Sequence, residues 1–157
     1  MKKNKGFNNE RTFGVEIEFF LKQSSMRGHG AQQVAQAVRN MGVNCEVEGY
    51  NHRTRNHWKI VTDASVHYEG LEIVSPPLKG QQGLEELRLV CKALANVGAK
   101  VDKSCGIHVH HDANDFTLDT FKNIYGIYAR YETAIDELLA ASRRGMNNTY
   151  CKSPRTN

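Results

Sequence analysis

Phe13-Gly14-Val15-Glu16-Ile17-Glu18-Phe19-Phe20 alternates acids with large apolar residues over the length of a β-strand. A period of two sends Gly14, Glu16, Glu18 and Phe20 to one face of a sheet and Val15, Ile17, Phe19 and Leu21 to the other. Two carboxylates therefore share a face, roughly 7 Å apart along the strand. That spacing is too long for a shared proton and suits ligands of one or two hard cations. Taken alone, it fits a solvated strand face equally well.

Two further stretches repeat the pattern. In Gly70-Leu71-Glu72-Ile73-Val74-Ser75-Pro76-Pro77, Leu71 and Ile73 point one way and Glu72 the other, and the prolines end the strand because they cannot donate to a ladder. In Cys105-Gly106-Ile107-His108-Val109-His110, the apolar residues share one face while His108 and His110 share the opposite one. Imidazoles at i and i+2 suit a metal or a phosphate, although many such pairs are simple surface residues. If the three strands lie in one sheet, Glu16, Glu18, Glu72, His108 and His110 converge on a single open face. Mostly oxygen donors with an imidazole favour Mg²⁺ or Mn²⁺ over zinc.

Between these strands lie helical patterns. Ala31, Val34, Ala35, Val38 and Met41 recur at helical spacing before Gly42, and Leu84, Leu87, Val90, Cys91, Leu94 and Val97 do so before Gly98. Thr117, with Asp119 close behind, caps a longer helix whose face carries Phe121, Ile124, Tyr125, Tyr128, Ile135 and Leu138. Val43–Tyr50 and Trp58–Thr62 read as strands joined by a basic hairpin loop over 51–56 that contains Arg53 and Arg55; Val66–Ser75 and Val101–His111 complete the set. Several connections are too short for a crossover helix, which predicts an α+β domain with a largely antiparallel sheet and helices packed on one face. The expected core combines Val15, Ile17, Phe19, Ile73, Ile107 and Val109 with Leu87, Leu94, Phe121 and Tyr128.

With 157 residues, 39% hydrophobic and 24% charged, the chain has the size and composition of one globular domain. We place that domain at residues 10–142, with basic, flexible ends at 1–9 and 143–157. The net charge of +4 belongs to those ends: without Lys2, Lys3, Lys5, Arg143, Arg144, Lys152 and Arg155, fourteen basic residues face seventeen acidic ones. Nucleic acid is therefore not the expected partner. Cys45, Cys91, Cys105 and Cys151 contain no CxxC pair, and no apolar leader or spanning segment is present. A reduced, cytoplasmic protein is expected.

Gly14-Val15-Glu16-Ile17-Glu18-Phe19, Trp58-Lys59-Ile60-Val61-Thr62-Asp63-Ala64-Ser65, Gly70 to Leu78 and Cys105 to His110 resemble, in order, the motifs of the amidoligase family of bacteria and phages. That family is a branch of the carboxylate-amine ligases, related to glutamine synthetase and glutamate-cysteine ligase. The resemblance implies a curved antiparallel sheet, part of a glutamine-synthetase-like catalytic core, around ATP and Mg²⁺ or Mn²⁺, with amide-bond formation through an acyl phosphate. It implies Glu16, Glu18, Glu72 and His108 as metal ligands and His110 near the nucleotide phosphates, where it joins the three glutamates as a catalytic residue. Lys59, Arg53, Arg55, Arg143 and Arg144 would add cationic charge at the phosphates, with solvated surface bases as the plainer reading for each. Asp63 and Ser65 would touch substrate, with Ala64 standing where the family has glycine.

The family pattern also continues to a late strand with a Glu-Phe-Arg type motif that the sequence to Asn157 does not contain. A fragment, a second chain or homo-oligomer that completes the site, and a scaffold that has lost catalysis all fit this. Partners are accordingly ATP and a carboxylate/amine pair, either small molecule or peptide. The rival class is a non-catalytic phage or bacterial binding protein on the same scaffold; a zinc hydrolase using His108 and His110 is a third.

Overall fold

A computed structural model of the chain describes residues 10–21, 29–146 and 149–156. The basic end at 1–9 and most of the expected loop after Leu21 lie outside the described residues. Contacts divide the chain into two units, Met1–Asp112 and Ala113–Asn157.

The first unit is a mostly antiparallel open sheet with two helices. Its elements are β1 (Thr12–Leu21), α1 (Gly30–Asn40), β2 (Cys45–Val47), β3 (Trp58–Thr62), β4 (Leu71–Val74), β5 (Leu78–Lys79), α2 (Gly80–Asn96), β6 (Ala99–Lys100) and β7 (Ile107–His111). The long strand β1 organises the sheet. On one side it pairs with β4, aligning Glu16 with Val74 and Glu18 with Glu72, and then with β5. On the other it pairs with β7, aligning Gly14 with His110 and Glu16 with His108, and with β6 at its far end. Where Pro76 and Pro77 interrupt the ladder, Ser75 continues it: its hydroxyl accepts from the Val15 N–H at 2.8 Å and its own N–H donates to the Val15 carbonyl.

The opposite face of the sheet holds the core. Phe19, Trp58, Ile60 and Ile73 from the strands meet Val34, Ala35 and Val38 of α1 and Val90, Ala93 and Leu94 of α2. These helix positions recur every three to four residues, so each helix turns one apolar stripe to the sheet. Each fully buried aliphatic or aromatic side chain here stabilises by about 1.5–3 kcal/mol. Gly42 and Gly98 follow the two helices at positive φ, which glycine adopts without strain. The buried indole of Trp58 donates to Glu86 Oε1 of α2 at 2.5 Å, so its polar atom is satisfied.

Two expectations need correction here. The 51–56 segment is not a hairpin, because β2 and β3 run parallel, with Cys45 aligned to Trp58 and Val47 to Ile60. The connecting loop curls back on itself around two side chains that read as solvated charges. Glu48 accepts from Arg55 through Nε and Nη2 and from Asn51, with His57 Nε2 at 2.9 Å, while the Lys59 ammonium donates to the carbonyls of Asn51 and Arg53. Ile107 and Val109 are also not core: they are 65% and 56% exposed, and the buried cluster under α1 and α2 draws its strand residues from β1, β2, β3, β4 and β5 without β7.

The second unit is built on α3 (Leu118–Asp136). As expected, Thr117 caps it: its hydroxyl accepts from the Thr120 N–H, and the Thr120 hydroxyl accepts in return from the Thr117 N–H. Residues 149–156 run along this helix. The Tyr125 hydroxyl donates to the Pro154 carbonyl at 2.8 Å, Ser153 donates to Glu132 at 2.6 Å, and Arg155 Nε donates to the Ala129 carbonyl at 2.6 Å. Phe121 and Tyr128, expected in the core, are about half exposed, and Glu132 is the helix's buried residue. An apolar stripe fixes which face of a helix seeks cover without fixing what covers it.

Candidate functional site

The register of β1, β4 and β7 brings the predicted acids and imidazoles together. Across the β1–β7 pairing, His108 Nδ1 lies 2.8 Å from Glu16 Oε2, and His110 Nε2 lies 3.4 Å from Glu16 Oε1. The other nitrogen of His108, Nε2, is 3.7 Å from Glu18 Oε1. Glu18 is buried, and its Oε2 accepts the Gly106 N–H at 2.6 Å while its own N–H donates to the Gly106 carbonyl. Gly106 matters for this approach, since a Cβ there would stand 3.3 Å from the His108 ring and 3.4 Å from the Glu18 carboxylate.

Asp63 joins this group. Ligand atoms of Glu16, Glu72 and His108 all lie within 4.8 Å of one another, and so do those of Glu18, Asp63 and Glu72. Glu72 belongs to both triads. Two carboxylates with an imidazole in one triad, and three carboxylates in the other, are the donor chemistry of a hard divalent cation such as Mg²⁺ or Mn²⁺. The residues present therefore fit one or two such ions.

The electrostatics carry the mark of this crowding. Burial, reinforced by the charges of Glu16, Asp63 and Glu18, pushes the Glu72 carboxyl up to about 7. Burial also pushes Glu16 up, but its hydrogen bonds to His108 and His110 outweigh that and hold it below its ordinary value. The Glu16 hydrogen bond raises the His108 imidazole against its own desolvation, and Glu18 and Glu72 add to the effect. A cation on this face would offset the burial and the repulsion that together raise the Glu72 carboxyl.

The remaining predicted residues are placed differently. Ser65 donates to Asp63 Oδ1 through both its N–H and its hydroxyl, each at 2.7 Å, and so aims the carboxylate. Lys59 is buried, and its ammonium donates to the Asn51 carbonyl, Asn51 Oδ1 and the Arg53 carbonyl at 2.8–3.0 Å. Arg143 and Arg144 belong to the second unit. There Arg144 donates to the Leu139 carbonyl and pairs with Glu137 at 3.3 Å, closing the end of α3.

Sequence reasoning missed what positions Asp63. The connection 63–70 is closed by the Asp63 N–H donating to the Gly70 carbonyl, with Val66 buried beneath it. His67 fastens it sideways: its N–H donates to Ser104 Oγ at 3.1 Å, and its Nδ1 lies 3.1 Å from Asp102 Oδ2. Asp102 in turn accepts from the N–H and hydroxyl of Ser104. Tyr68 and Glu69 both take positive φ, 60° and 58°, a left-handed conformation that costs a non-glycine residue about 1–3 kcal/mol. The one signal available in the sequence was Asp102-x-Ser104, the spacing of a side-chain turn.

The model of a family described as Putative amidoligase enzyme matches residues 9–156. Searches of curated proteins and of solved structures found no match.

Proposed function

Since the chain belongs to the amidoligase family, we propose that it joins a carboxylate to an amine at the expense of ATP, on the sheet face built by β1, β4 and β7. A glutamine-synthetase-like core, with the sheet curved around nucleotide and metal, is part of this reading. One observation carries it: Glu16, Glu72 and His108 bring ligand atoms within 4.8 Å, and Glu18 and Asp63 extend the group through Glu72. Carboxylates gathered this closely repel one another, and a cation that in turn holds phosphates would offset that repulsion.

Glu16, Glu18, Glu72 and His108 are the proposed holders of Mg²⁺ or Mn²⁺, and His110 faces the nucleotide phosphates. When bound, the cation neutralises charge on the phosphates and so lets a substrate carboxylate approach them. A carboxylate oxygen attacks the terminal phosphorus and ADP leaves. The amine nitrogen then attacks the acyl carbon, inorganic phosphate leaves, and the nitrogen gives up a proton. The chain's own contribution is orientation: Gly106 and His108 lock Glu18 and Glu16, and Ser65 locks Asp63, so the acids need little rearrangement to receive a cation.

Calorimetry with a non-hydrolysable ATP analogue, with and without Mg²⁺, tests the reading. Binding that requires the metal and is lost in Glu16→Ala supports it, as does ADP release stimulated by a carboxylate and an amine together. Nucleotide binding indifferent to Mg²⁺, or none at all, would overturn it.

A further inference from the structure

The turn that delivers Asp63 also presents an aromatic ring. Tyr68 is 70% exposed, and it lies against Phe20, with ring centroids 4.9 Å apart and planes tilted by 45°. Phe20 is two residues beyond Glu18 on β1, hence on the same face of the sheet, roughly 7 Å further along the strand. His67 meets the Tyr68 ring edge-on at 6.0 Å. One side of the tyrosine is thus backed by Phe20 and braced by His67, and most of the residue remains open to solvent beside the carboxylate group.

The backbone pays for this presentation. Tyr68 and Glu69 stand consecutively in the left-handed region, where glycine would be free of strain. Gly70 is required in its place, because a Cβ there would fall 2.2 Å from Val66 Cβ. The turn is held in this shape by Val66 below, by the Asp63–Gly70 closure, and by His67 on Asp102 and Ser104. A tyrosine whose work was only to cover Phe20 could do so from relaxed backbone and would bury itself further.

We propose that Tyr68 is a stacking platform for the base of the nucleotide whose phosphates sit on the Glu16–Glu18–Glu72 face. This rests on the ATP reading above. The placement suits it: Phe20, which backs the ring, follows Glu18 on the same face of β1, so a base stacked on the open side of Tyr68 would have its phosphates within reach of that face. Stacking on an aromatic ring tolerates any base, so the platform confers affinity for a nucleoside polyphosphate over bare polyphosphate, with modest preference among bases.

The test uses the full chain with Mg²⁺ and two probes, an etheno-adenine nucleotide, whose fluorescence reports stacking, and inorganic tripolyphosphate. Wild type is expected to bind the nucleotide more tightly than tripolyphosphate and to change its fluorescence. Tyr68→Ala should weaken nucleotide binding about 10- to 100-fold, leave tripolyphosphate binding unchanged and abolish the fluorescence change, while Tyr68→Phe and Tyr68→Trp retain all three. Unchanged nucleotide affinity in Tyr68→Ala would overturn the proposal, and so would equal losses for both probes, which would make Tyr68 a support for the turn. If wild type binds tripolyphosphate with Mg²⁺ but gains nothing from the base, the platform is refuted while the metal–phosphate reading stands. If it binds neither, that reading fails and the platform with it.

Discussion

His108 Nδ1 and Glu16 Oε2 face each other at 2.8 Å across directly aligned positions of β7 and β1. Each holds the other in place, so the pair behaves as one unit toward a cation. Removing either should weaken Mn²⁺ binding by at least about tenfold, the scale on which even supporting residues of metal sites act. Glu85→Ala, on the exposed side of α2 where Glu85 pairs with Arg88, should change nothing. Mn²⁺ titration of the three variants decides this, and equal affinities throughout would remove Glu16 and His108 from the site.

Cation affinity should rise with pH through about 7. Glu72, pushed up to about 7, carries a proton below that pH and must lose it to become a ligand, and the raised His108 imidazole must do the same. Binding therefore releases protons, which calorimetry in buffers of different ionisation enthalpy measures directly. The sign for the cation-free fold follows from the same groups. Between its unfolded value of 4.5 and about 7, Glu72 binds more proton in the folded chain than in the unfolded one, so its contribution to stability declines as pH rises through that window. His108, also raised, contributes stability below its unfolded value of 6.5 that is lost at higher pH. Melting temperature should accordingly fall from pH 5 to pH 8 without Mg²⁺, and the slope should flatten in Glu72→Gln or on adding Mg²⁺. A slope unchanged by both would show that Glu72 is not the titrating group.

The part of the fold that follows from alternation was legible. Val15, Phe19 and Ile73 are buried on one face of the sheet, so the parity of Glu16, Glu18, Glu72, His108 and His110 could be read from their apolar neighbours. What depends on side chains folding back on their own loop was not. The parallel pairing of β2 with β3 hangs on Glu48 and Lys59, which look in sequence like any solvated acid and base. The meeting of Asp63 with Glu18 and Glu72 depends on a turn with two residues at positive φ and a fastening 35 residues away at Asp102. Neither leaves a periodic trace. Ile107 and Val109 show the limit of the alternation argument itself, which names the face but not whether the covering layer reaches the edge strand.

That difference is measurable. Phe19 is 1% exposed among Ile73, Val34 and Val90, and Phe19→Ala should cost about 3–5 kcal/mol in chemical denaturation. Val109→Ala, on the exposed face of β7, should cost less than about 1 kcal/mol. Equal losses at the two positions would mean that Val109 is covered.

Lys59 separates a structural role from a catalytic one. Its ammonium is 4% exposed with its residue and spends its hydrogen bonds on the Asn51 carbonyl, Asn51 Oδ1 and the Arg53 carbonyl, inside the loop that lets β2 and β3 run parallel. Lys59→Met keeps the apolar stem and removes the donor, which leaves these oxygens without their partner at a cost of about 1–3 kcal/mol. The loop carries Glu48, Arg55 and His57, none of which touches the β1–β7 pair, so Mg²⁺ affinity should stay within about threefold of wild type while denaturation shifts to lower urea. Binding of the ATP analogue should hold as well. If the variant instead keeps its full stability and loses nucleotide affinity, the ammonium leaves the loop to meet phosphate, and Lys59 is a nucleotide ligand rather than the pin of the β2–β3 connection.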